Sequence, residues 1–123
     1  MARIAFDIDD TIWKIDRKNK RQVPDYDLIQ VLRWFVNNGD EVFVWSAGGQ
    51  DYTQTIVDKL GLTDLVTVIS KISSAKLLEK RYEGMDIAFD DCESNLAKVD
   101  IRVRRETNGL DGDTGDSFND LSH

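Results

Sequence analysis

The stretch IAFDIDDTIW, residues 4–13, decides how the rest of the chain is read. Its apolar members Ile4, Ala5, Phe6 and Ile8 read as a strand buried on both faces, the habit of parallel strands packed between helices. The run ends in Asp7, Asp9 and Asp10. Side chains alternate along a strand, so if extended geometry persists Asp7 and Asp9 project to one side and Asp10 to the other. A later apolar run, Ile87 to Phe89, ends in a second acid pair, Asp90 and Asp91. Ligands of open parallel sheets bind outside the carboxyl ends of the strands, so both acid pairs are expected at one rim.

Such convergence has an electrostatic cost. Two like charges about 4 Å apart repel by roughly 4 kcal/mol at an effective dielectric near 20, a large part of a domain stability of about 5–15 kcal/mol. Asp7, Asp9, Asp90 and Asp91 therefore need a proton or a cation among them. The donors are hard oxygens with no nearby histidine and no thiolate cluster, which suits Mg²⁺ sharing its coordination sphere with water and a substrate phosphate.

Outward from this strand, 123 residues make one domain with room for a real core. The net charge of −7 argues against generic affinity for nucleic acid. Five acids and no Lys or Arg lie in residues 106–123; without them 18 acids nearly balance 16 bases. The lone Cys92 excludes an intramolecular disulfide framework. The opening MARIAFD has neither a signal-peptide pattern nor a membrane-length apolar run, so a cytoplasmic protein without membrane contact is expected.

Trp13, Ile15 and Val23 flank a turn-like centre at Asn19, the pattern of a hairpin or flap beside the acidic strand end. This segment carries Lys14, Arg17, Lys18, Lys20 and Arg21. It reads as a solvated hairpin or, alternatively, as a cationic flap that steers a phosphorylated substrate. Pro24, Asp25 and Asp27 then open a helix to about Asn37, with Leu28, Leu32, Phe35 and Val36 on its buried face.

Further elements alternate: a strand Val42–Trp45, a helix from about Asp51 to Leu60 with Tyr52, Ile56 and Val57 inward, and a strand Val66–Ile69. A helix capped by Ser73 or Ser74 and running to about Tyr82, the strand Ile87–Phe89, a short helix from about Glu93 to Val99 and a strand Ile101–Val103 complete the domain. The alternation predicts an α/β fold, a Rossmann-like three-layer sandwich with a five-stranded parallel sheet over residues 1–105. Residues 106–123 read as an irregular acidic tail whose spacing does not match a calcium loop.

Four strand ends thus carry polar groups: Asp7 and Asp9, Ser46, Lys71, and Asp90 with Asp91. An acid, a hydroxyl, an ammonium and an acid pair at one rim are what phosphoryl transfer needs, because that chemistry is mostly positioning and charge stabilisation. Ser46 can donate to a phosphoryl oxygen beside the backbone N–H groups of Ala47, Gly48 and Gly49 near a helix start. Lys71 supplies a compact positive charge, with Lys76 competing for that role.

The string D-I-D-D-T, Asp7 to Thr11, resembles the first motif of the haloacid dehalogenase superfamily of phosphohydrolases. Ser46 in WSAGGQDY is similar to the second motif, Lys71 to the third and D-D-C-E-S-N, Asp90 to Asn95, to the fourth. The resemblance implies a small capless member whose nucleophile is Asp7 and whose general acid/base is Asp9. It gives Ser46 and Lys71 the phosphoryl group and Asp7, Asp9, Asp90 and Asp91 the metal. Thr11, Ala47, Gly48 and Asn95 border the substrate. Asp10 stands where many members carry Gly.

The function expected is therefore Mg²⁺-dependent phosphomonoester hydrolysis through an aspartyl-phosphate. An open site suits a nucleotide or nucleic-acid end, or a lid borrowed from a second subunit. Two rivals are a receiver-like phospho-accepting domain and a catalytically silent phosphate-binding module. The receiver is disfavoured because Ser46 and Lys71 occupy the middle strand ends, where a phospho-accepting Asp would stand.

Overall fold

The computed structural model describes residues 1–16, 18–70, 84–92 and 97–104. Seven strands and two helices lie among them: β1 (Arg3–Asp7), β2 (Trp13–Asp16), β3 (Arg21–Pro24), α1 (Tyr26–Asn37), β4 (Glu41–Trp45), α2 (Gln50–Lys59), β5 (Thr67–Val68), β6 (Met85–Asp90) and β7 (Ala97–Arg102). Five strands form one parallel sheet in the order β5-β4-β1-β6-β7, and β2 with β3 forms a separate antiparallel hairpin.

β1 is central because it has no polar side chain before Asp7 except Arg3 at its start, and Ile4, Ala5 and Phe6 are fully buried. Its alternation sorts the core. Ile4, Phe6 and Ile8 join Val42, Val44 and Phe89 on one face, against Ile29 and Leu32 of α1 and Ile56 and Val57 of α2. Phe6 and Phe89 are register partners whose rings stack 4.5 Å apart. On the other face Ala5 meets Phe43, Trp45, Ile69, Met85 and Ala88, all buried.

Both described helices pack on the first face. The connections β1 to β4 and β4 to β5 advance in the same direction across the sheet, and right-handed crossovers then put their helices on the same side. The expected helix over 73–82 lies outside the described residues. Among the described residues, no helix is long and apolar enough to cross a membrane.

Three local expectations need correction. Pro24 does not open the helix: it ends β3 opposite Trp13, and Asp25 is the N-cap, its Oδ1 accepting the Leu28 N–H at 3.0 Å. Residues Ala97 to Val99 are strand, not the end of a short helix. Val99 and Ile101 repeat at a spacing of two, and the segment pairs with β6, so partner hydrogen bonds outweigh a weak helical pattern. Finally, extended geometry stops at Asp7. The N–H groups of Thr11 and Trp13 both donate to the Ile8 carbonyl, and Asp10 takes a φ of 60°. Asp tolerates this left-handed region, which Gly would occupy without strain.

Candidate active site at the carboxyl ends of β1 and β6

From β1 the chain moves outward to β4 and β5, then resumes on the other side of β1 with β6 and β7. The order therefore reverses between β1 and β6, the place where open α/β sheets bind ligands. Asp7 and Asp90 are the last residues of these two strands. Register pairs Phe6 with Phe89, so Asp7 and Asp90 follow as neighbours, on strands about 4.8 Å apart. Both stand opposite to the stacked phenylalanines and hence on the same face. They are also buried, 5% and 1% exposed, so the charges have little solvent to screen them.

Next to Asp90, Asp91 and Cys92 complete a group whose candidate ligand atoms all lie within 4.8 Å of one another. The Cys92 N–H donates to Asp90 Oδ1 at 3.1 Å, and its thiol lies 3.6 Å from Asp91 Oδ2. Cys92 is exposed. Arg102 Nε donates to the Asp91 carbonyl at 3.3 Å and the Val103 N–H to the Asp90 carbonyl at 2.7 Å, so β7 holds this strand end in place.

On the other side of β1, Ser46 directly follows β4 and is buried. Its Oγ accepts the Gly48 N–H at 3.0 Å, which leaves the hydroxyl proton to donate. Ala47 and Gly48 are exposed in the loop that enters α2. Gly49 caps that helix with a φ of 102° and supplies no side-chain hydrogen bond to its first N–H groups.

Asp9, placed by the turn and not by strand alternation, is half-buried. Its Oδ1 accepts a hydrogen bond from the Tyr52 hydroxyl at 2.5 Å. Burial, this bond to Asp9 and the negative charges of Asp9, Asp7 and Asp10 push the Tyr52 hydroxyl well above its ordinary pKa. The helical spacing of Tyr52 with Ile56 points it inward, and its ring does pack against the core, but that spacing does not disclose the hydrogen bond of its hydroxyl to Asp9.

Thr11 is fully buried, and its hydroxyl has no hydrogen-bond partner among the described residues. That position makes it part of the turn beneath the acids and not of the exposed rim. Lys71, Lys76 and Asn95 lie outside the described residues. A separate cavity of about 380 Å³ is lined by Arg33, Gly61, Thr63, Asp64 and Leu65, and none of the strand-end acids, Ser46 or Tyr52 borders it.

The flap takes the expected form, but not all its cations face water. Asn19 donates from its backbone and side chain to Asp16, and Arg21 pairs with Asp16 at 3.3 Å. Lys14 is 2% exposed; its Nζ donates to the carbonyls of Asp10 and Arg104 and lies 3.8 Å from Asp25 Oδ2. This lysine ties the acidic turn to α1 and to the end of β7, and it cannot steer a substrate. Lys18 and Lys20 are exposed.

Comparison with protein-family models, with curated proteins and with solved structures finds no match to this chain.

Proposed function

We propose that the protein is a Mg²⁺-dependent phosphomonoester hydrolase working through an aspartyl-phosphate, a small capless relative of the haloacid dehalogenase hydrolases. The observation that carries this reading is the adjacency of Asp7 and Asp90 at the two strand ends that flank the sheet's switch point. Carboxylates gathered at one strand rim favour a cation and a phosphoryl group among them. The buried apolar second face of the sheet also supports a three-layer, Rossmann-like arrangement.

Two of the three donors in the clustered group fit the ion: Asp90 and Asp91 offer hard oxygens, which suit magnesium, while the Cys92 thiol does not. Asp7, at the end of the neighbouring strand, is not a member of that group and is assigned to the ion on the sequence resemblance. Magnesium, when bound, supplies positive charge that offsets the charge on the phosphoryl oxygens.

The residues divide the remaining work. Asp7 attacks phosphorus as the bond to the leaving oxygen breaks, and Asp9 gives that oxygen its proton. Asp9 then takes a proton from the water that attacks the aspartyl-phosphate, which releases inorganic phosphate and frees Asp7. Ser46 donates its hydroxyl proton to a phosphoryl oxygen beside the start of α2. Lys71 is assigned to the phosphoryl charge, and Asn95 to the substrate rim, on the sequence resemblance alone.

A panel of aryl phosphates, nucleotides, sugar phosphates and 3′- or 5′-phosphorylated oligonucleotides, with and without Mg²⁺, tests the reading. Hydrolysis that needs magnesium and disappears in Asp7→Asn is expected. Wild-type turnover by Asp7→Asn, or inertness across the whole panel, would overturn it, and inertness with retained Mg²⁺ binding would point to a silent phosphate-binding module.

A further inference from the structure

The hydrogen bond from Tyr52 to Asp9 joins two segments 43 residues apart. Tyr52 sits in the first turn of α2, and its ring packs against the core that Ile56 and Val57 of the same helix enter, which leaves its hydroxyl at the acid. Its ring is half-buried and stands against the loop at Gly48, where an added Cβ would lie 3.0 Å from Tyr52 Cδ2 and 3.3 Å from Ser46 Oγ. The lack of a side chain at Gly48 is therefore what lets the ring stand over the loop and reach the acid. The Gly48 N–H donates to Ser46 Oγ and the Tyr52 hydroxyl to Asp9, so Gly48 stands between the hydroxyl donor and the ring that reaches the acid.

We infer that Tyr52 is the positioning residue for Asp9, fixing which carboxylate oxygen exchanges the proton in phosphoryl transfer. The inference rests on the hydrolase reading above. A carboxylate can only accept from the phenol, so Oδ1 is committed to Tyr52 and Oδ2 carries the proton that passes to the leaving oxygen. As that proton leaves, negative charge grows on the Asp9 carboxylate. A preplaced hydroxyl donor stabilises it at no cost in reorganisation. Tyr52 touches neither phosphorus nor the leaving group in this scheme; it acts through Asp9.

Leaving-group dependence separates this role from a structural one. Phenyl phosphate and para-nitrophenyl phosphate have nearly the same shape, but the phenolate leaving group needs its proton far more. In Tyr52→Phe, kcat/KM for phenyl phosphate should fall about tenfold further than for para-nitrophenyl phosphate, a modest share of what general acid catalysis supplies. The thermal midpoint and the Mg²⁺ concentration at half-saturation should stay near wild type. In an Asp9→Asn background the same substitution should change little, because the group it positions is gone.

Equal loss on both esters, no loss on either, or full additivity with Asp9→Asn would overturn the positioning role while leaving the hydrolase reading intact. A wild-type protein inactive on both esters would overturn the hydrolase reading and this inference with it.

Discussion

Lys14 Nζ lies 3.8 Å from the carboxylate of Asp25, inside a lysine side chain only 2% exposed. The same ammonium donates to the carbonyls of Asp10 and Arg104, so one charge joins the acidic turn, the cap of α1 and the end of β7. Breaking a buried ion pair by removing one partner leaves the other charge uncompensated. Lys14→Met should therefore destabilise the fold by about 3 kcal/mol. Adding Asp25→Asn should restore part of the loss, because Asn still caps the helix without the stranded charge. Urea unfolding of the two variants checks both; a Lys14→Met protein as stable as wild type would contradict the assignment.

Magnesium and the two strand-end carboxylates should be linked in stability as well as in activity. In chelator, Asp7→Asn and Asp90→Asn should each melt above wild type, since neutralising one of a close pair relieves repulsion on the order of 4 kcal/mol at 4 Å. Added Mg²⁺ should raise the wild-type midpoint, as any ligand selective for the folded state does. It should do so much less in the variants, whose half-saturating concentration rises at least about tenfold. Thermal scans across a Mg²⁺ series decide it; variants less stable than wild type in chelator would speak against crowded charge.

Gly48→Ala should damage catalysis more than folding. The new Cβ would press on the Tyr52 ring and the Ser46 hydroxyl at once. Because the ring is tethered to Asp9, relief must come from moving functional groups by a few tenths of an ångström. A loss of about tenfold in kcat is expected, with about 1 kcal/mol in stability. Steady-state kinetics beside urea unfolding would show whether the two effects separate.

At the opposite rim, acids hold the start of β1. Asp86 Oδ2 accepts the Arg3 N–H at 2.8 Å and Asp40 Oδ1 the Ala2 N–H at 2.9 Å. These backbone donors, first among the causes, hold both carboxyls below their ordinary value of 3.8. A carboxylate depressed in the folded state contributes stability above its unfolded pKa and loses it as pH falls through the folded one. Unfolding free energy should thus be level near neutrality and fall below about pH 4. In Asp86→Asn that acid slope should be shallower, which urea titrations from pH 7 to pH 3 would detect.

How far the sequence discloses this molecule depends on whether a feature is local. Asp7, Ser46 and Asp90 were legible because each ends an apolar run, and a polar residue there can only sit at a strand end. The hairpin was legible from Asn19 and its flanking apolar residues. Tyr52 was not, since its helical spacing says only that it points inward and its acceptor belongs to a distant turn. Lys14 was misread for the same reason: a lysine is assigned to the surface unless the acceptors brought to it by Arg104 and Asp25 are known. The start of β7 was missed because pairing with β6, not intrinsic preference, makes it a strand.

The adjacency of β1 and β6 would couple any cation held at these strand ends to the assembly of the sheet. Asp7 and Asp90 come from opposite ends of the described chain, and the group at Asp90 and Asp91 gains Asp7 as a neighbour only when β1 pairs with β6. Ion affinity would then report assembly: a piece carrying β6 alone should hold a divalent ion weakly, and tighten on it only when the strands recombine.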